Sequence, residues 1–211
     1  MKKILLGLAV ASLMAGAAQA STQVITSSSN ELLQDPQFTE FRSNKGKSDF
    51  WRKEADNKNG KGDVGSSKDT AFDDEGSVRI RFRNATDDFS ATPGVSQEVA
   101  GLKPNTDYTL SFYYNDKKGE NSPSQLLAGV LGANGKTLKE KSIHVKDLSD
   151  SPKGAVKKSF RQASLSFNSG DNTSAVIYTR MRITDTSGIN MDGDIGKQTE
   201  VRLDEFALKA Q

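Results

Sequence analysis

Cysteine is absent from all 211 residues, which excludes disulfide staples and thiol chemistry. Histidine occurs once, at His144, and tryptophan once, at Trp51. With no Gly-x-Ser-x-Gly turn and a single histidine in the polar run "EKSIHVKD", nucleophilic catalysis has little to work with. That run reads as a loop or edge strand with an exposed, incidental histidine. The 27 acidic residues are scattered, so no pair stands out as the two carboxylates of a glycoside hydrolase. No helix-length amphipathic pattern with start and stop signals is present either, which argues against a helical or mixed fold.

The one apolar run lies at the start. "MKKILLGLAVASLMAGAAQA" has the basic pair Lys2 and Lys3, an apolar stretch, and a small-x-small end at Ala18-Gln19-Ala20. This is the plan of a bacterial secretory signal peptide cleaved after Ala20, and the run is too short for a membrane span. The expected product is periplasmic or secreted. It would begin at Ser21, so it lacks the N-terminal histidine that copper oxygenases of polysaccharides need. Without Lys2 and Lys3 the rest carries 27 basic and 27 acidic residues. Any electrostatic preference must therefore come from where charges sit, and nucleic acid is a poor fit as partner.

What is present are short alternating runs separated by Gly, Asn, Asp and Pro, the mark of an all-β fold. The expected strands are Val78 to Arg83, Gly94 to Val99, Tyr108 to Asn115, Leu126 to Leu131, Ser159 to Phe167, Ala175 to Ile183 and Glu200 to Leu208. Two long polar stretches, Ser43 to Gly76 and Gly132 to Lys158, read as loops. The domain reading is a signal at 1–20, a polar leader at 21–29 and one domain over 30–211.

Three landmarks then appear in order. "NELLQDPQF" (Asn30 to Phe38) followed by Phe50-Trp51, "VSQEVAGLKPNTDYTLSFYYND" (Val95 to Asp116) and "TEVRLDEFALKA" (Thr199 to Ala210) resemble the opening, centre and last strand of CenC-type (family 4/9-like) carbohydrate-binding modules. In the middle block, Gly101 and Pro104-Asn105 suit a turn, while Tyr108, Leu110, Phe112 and Tyr114 share one strand face and read as core. The resemblance implies a galactose-binding-like jelly-roll β-sandwich of two antiparallel sheets, with a ligand groove across one sheet. It makes Trp51 a packing residue. It also implies a structural calcium at Asp204 and an acidic residue after Phe38, where this chain has Thr39 and then Glu40. "NMDGDIGK" (Asn190 to Lys197) reads as a tight turn.

Alternation also sorts the arginines. "SVRIRFRN" sets Arg79, Arg81 and Arg83 opposite Val78, Ile80 and Phe82; "AVIYTRMRI" groups Tyr178, Arg180 and Arg182; "VRLDEF" leaves Arg202 with Asp204. In that last strand the inward residue after Leu203 is Glu205 or, past a bulge, Phe206. Tyr113 and Asn115 sit on the non-core face of their strand. If these strands share a sheet, six arginines and two tyrosines project from one surface. Arginine matches carboxylate and sulfate bidentately, so the expected partner is an acidic polysaccharide. The alternative is ordinary surface arginine paired with carboxylates such as Glu98 or Asp204. Two further functions stay open: a polysaccharide lyase using Tyr113 and Tyr178 for proton transfer with arginine neutralising a uronate, and a surface or matrix adhesion protein.

Overall fold

The computed structural model describes residues 32–72, 76–149 and 159–211. The expected signal and leader lie outside them, as do Asn30 and Glu31 of the first landmark. All seven expected runs form strands, and three more appear inside the polar stretches. In chain order they are β1 (Arg52–Glu54), β2 (Asp63–Ser67), β3 (Ser77–Arg81), β4 (Gly94–Ala100), β5 (Asp107–Asp116), β6 (Ser124–Gly132), β7 (Thr137–Ile143), β8 (Arg161–Asn168), β9 (Ser174–Ile183) and β10 (Val201–Ala210). They build two antiparallel sheets, ordered β1-β4-β9-β6-β7 and β2-β3-β10-β5-β8. This is the expected jelly-roll β-sandwich.

Period-two patterning explains the layering. Val78 and Ile80 of β3, Val201 and Leu203 of β10, and Tyr108, Leu110, Phe112 and Tyr114 of β5 point inward. They meet Val95 and Val99 of β4, Leu126, Ala128 and Val130 of β6, and Ile177 and Met181 of β9 in one buried cluster. Trp51 is buried there as well, packed on Phe38 and Phe206, with its Nε1 donating to the Asp35 carbonyl. The β4–β5 turn has the predicted chemistry: Gly101 at φ +83° and Asn105 at φ +51° occupy the left-handed region that glycine and asparagine tolerate.

Two single-turn helices interrupt the strands, α1 (Thr39–Ser43) and α2 (Ile195–Thr199). The "NMDGDIGK" turn closes through Gly193 N–H to the Asn190 carbonyl. It then runs into α2, whose first turn Asp194 caps by accepting from the Lys197 amide. In β10 the register shifts between Asp204 and Ala207. Glu205 takes φ +52° there, and Phe206, rather than Glu205, enters the core.

His144 departs from expectation. It is buried, its Nδ1 accepts from the Lys146 amide, and its Nε2–H donates to the Ser122 carbonyl. Both ring nitrogens hold backbone, so the residue braces a turn. Nearby, Asp116 is buried and accepts from the Tyr114 hydroxyl and the Lys118 amide. Burial pushes its carboxyl up from 3.8 to about 6, against the lowering pull of its hydrogen bonds. Between those two values the folded chain binds a proton that the unfolded chain does not, so this group's contribution falls as pH rises through that window. Relative to its Asp116→Asn variant, the protein should therefore lose stability between pH 4 and pH 6.5, by about 3 kcal/mol. Urea midpoints across that range measure the difference, and parallel curves would refute it. Among the described residues no helix is long and apolar enough to cross a membrane.

Candidate functional site

The expected arginine face is divided between the two sheets. β3, β10 and β5 are neighbours, so Arg79, Arg81, Arg202, Tyr113 and Asn115 do share one outer face. β9 lies in the other sheet, and carries Tyr178, Arg180 and Arg182 to the opposite side of the sandwich. Arg83 falls beyond the end of β3 and is exposed. One groove lined by all six arginines therefore does not exist.

Most of these arginines already have carboxylate partners, though not Glu98 or Asp204. Asp63 lies 3.3 Å from Arg81 Nε and 3.6 Å from Arg79 Nη2; Glu200 lies 3.5 Å from Arg81 and also binds Arg202, which pairs with Asp69 as well. On the other sheet Arg180 pairs with Glu54 and stacks 4.3 Å over the Tyr178 ring. That ring lies across Gly129, where a Cβ would fall 2.3 Å from the phenol. The Tyr178 hydroxyl donates to Glu140, and burial together with that carboxylate pushes the phenol up to about 12. A buried tyrosine held that far up is a poor proton mover. Arg182 differs. Its Nη2 donates to Gln125 and Ser142, both neutral, and it has no carboxylate partner among the described residues.

A cleft of about 890 Å³ opens at the other end of the outer face that carries Tyr113. Its floor is Ser111 and Tyr113 of β5, Gln162 of β8, and Glu205, Ala207 and Lys209 of β10; residues 33–37, Thr39, Glu40, Phe50 and Phe72 form the walls. Local chemistry sets each wall. The Asp35 carboxylate accepts the Glu40 and Phe41 amides at the start of α1, and Phe206 N–H donates to the Pro36 carbonyl, binding this segment along β10. The bulge turns Glu205 outward, where its Oε1 accepts from Gln37 at 3.1 Å. Phe72 meets Tyr113 edge-on at 5.4 Å, and Phe50 is 44% exposed. Burial and the Glu205 charge both raise the Tyr113 phenol.

Sequence reasoning found Tyr113 but missed Phe50, Phe72, Gln37, Gln162 and Glu205. Single aromatics inside polar tracts ("SDFWR", "TAFDD") were the available signal, and nothing local shows that two of them converge on one strand face. Asp204, the expected calcium ligand, is fully buried; its two oxygens accept the Ala71 amide at 2.7 Å and the Glu205 amide at 2.8 Å. No group of three or more acidic or histidine side chains that could hold a metal gathers among the described residues.

No protein-family model and no curated protein matches the chain. Solved structures do. The CBM61 module TmCBM61, in complex with β-1,4-galactotriose, superposes with a TM-score of 0.55 at 16% identity, over 87% of this chain and 100% of the module. The two share a fold. The enzymatically active domain of bacteriophage CBA120 tailspike protein 4 also scores 0.55, at 11% identity over 86% of this chain, which spans only 21% of that protein. The CBM22-2 xylan-binding domain of Paenibacillus barcinonensis Xyn10C reaches 0.47 at 11% identity, covering 83% of this chain and 98% of the domain. The β-sandwich fold that the resemblance implies is thus shared with the CBM61 module, while no model of the CenC-type family matches.

Proposed function

We propose that the protein is a non-catalytic polysaccharide-binding domain, exported as its first twenty residues suggest, with sugar units held between Phe50, Phe72 and Tyr113. The observation that carries this reading is the cleft: ring faces and edges beside amide, hydroxyl and carboxylate groups suit a polyol, whose C–H faces pack on rings while its hydroxyls donate to Glu205 and Glu40. The shared fold with a module that holds a galactotriose supports it. Asp35, Glu40 and Glu205 outnumber Lys209 in the cleft, so a neutral glycan suits it better than a uronic or sulfated one.

The acidic-glycan reading keeps one specific support, Arg182, whose guanidinium faces only neutral partners among the described residues. A lyase draws less support, since Tyr178 is buried and lies on the opposite side of the sandwich from Tyr113.

Affinity electrophoresis in gels containing galactan, xylan, pectate or a sulfated glycan tests these readings. Retardation by a neutral polymer is expected, with Phe72→Ala and Tyr113→Ala each weakening it about tenfold and Arg182→Ala leaving it unchanged. Retardation by acidic polymers alone, lost in Arg182→Ala, would replace the cleft with the Arg182 face. Ultraviolet absorbance from unsaturated uronates would point to the lyase.

A further inference from the structure

Asp204 stands directly across from Tyr113 in the β10–β5 ladder, and so lies at the base of the cleft. Two cleft walls hang from its carboxylate. One oxygen accepts the amide of Ala71, the residue before Phe72; the other accepts the amide of Glu205, the bulge residue at φ +52°. Residues 68–72 form a strap over this end of the sheet, and its own Thr70 and Ala71 are buried. A second pair of contacts holds the strap at Asp69, whose carboxylate pairs with Arg202 and whose carbonyl accepts from Ser77 Oγ at 2.6 Å. Within a water-poor interior hydrogen bonds are electrostatically stronger than in water, and they fix geometry as well as energy. The local amide bond at Glu205 also favours the left-handed turn that sends its side chain into the cleft and Phe206 into the core.

We propose that Asp204 is the positioning residue of the glycan cleft: it sets the Phe72 ring on one side of Tyr113 and the Glu205 carboxylate on the other, without touching ligand. This rests on the cleft being the glycan site, but the placement of the strap can be measured without any glycan.

Asp204→Asn keeps an acceptor for one amide and turns an N–H₂ toward the other. Hydrogen exchange followed by mass spectrometry should show residues 68–72 exchanging about tenfold faster, the ratio for one lost hydrogen bond, with β5 and β9 unchanged. Unchanged exchange at 68–72 overturns the proposal whether or not any glycan binds. Where the wild-type protein is retarded by a glycan, affinity should fall about tenfold in Asp204→Asn and no further when Phe72→Ala is added, because both changes remove the same ring contact. Additive losses would mean a merely structural carboxylate, and overturn it. Should Asp204→Asn fail to fold, exchange in the unaltered protein decides: the Ala71 and Glu205 amides, held by Asp204, should exchange at least about tenfold slower than that of Lys68 at the exposed start of the strap, and exchange as fast as Lys68's overturns the proposal. A chain that binds none of the four polymers, yet shows the faster exchange, sinks the cleft reading and leaves the positioning of the strap intact.

Discussion

Phe38→Ala is expected to cost about 4 kcal/mol of unfolding free energy, the range for deleting a fully enclosed phenylalanine. Phe38 has no exposed surface and packs against three rings: Trp51 at 4.7 Å, Phe206 at 5.5 Å and Phe41 at 5.8 Å. It sits where the 33–40 segment turns into α1, at φ +56°, with its carbonyl accepting the Arg42 amide. The loss therefore falls on the seam joining α1, the β10 bulge and the one tryptophan. In a domain of this size it should lower the melting temperature by roughly 10 °C. Trp51 emission should shift to the red as the pocket around the indole opens. A loss under about 1 kcal/mol with unchanged emission would contradict the packing.

Gly94→Ala should be comparably damaging, and for a different reason. A Cβ at Gly94 would lie 2.2 Å from the Thr179 carbonyl oxygen and 2.8 Å from Arg180 Cα. Both are backbone atoms of β9, which pairs with β4 at this point, Gly94 opposite Arg180. No rotamer change relieves a clash with backbone, so the β4–β9 ladder must part locally. We expect a loss of about 3 kcal/mol or more, seen as insoluble expression or a large drop in urea midpoint. Gly119→Ala is the control. Gly119 has φ +67° but open space around its missing Cβ, so it should cost only about 1 kcal/mol. Equal behaviour of the two variants would count against steric exclusion at Gly94.

The strands that carry the core were readable in the chain because burial on one side forces alternation, and the runs around Val78, Tyr108 and Ile177 show it. Strands β1, β2 and β7 were not readable, and their positions explain why. β1, β2 and β7 are all at sheet edges. In β7 only Ile143 is buried, and in β2 only Val64. An edge strand can pair through its backbone while leaving both side-chain rows near water, so it need not alternate. His144 was misread for a related reason: a polar neighbourhood in sequence says little about burial when a residue braces a turn.

Function follows the same division. The sequence alone determined the class of fold, the inward set of β5, the turn at Gly101 and Asn105 and the outward set of arginines, because each depends on local periodicity or on the conformational reach of one residue; the packing role of Trp51 came from the resemblance. Tertiary structure decided which strands became neighbours. It placed Arg180 and Arg182 on the far side from Arg79 and Arg202, matched Asp63, Asp69 and Glu200 to the arginines, and brought Phe50 and Phe72 out of two polar tracts to flank Tyr113. Contacts between residues far apart in the chain depend on topology and on one bulge in β10, and neither leaves a periodic trace in the residues themselves.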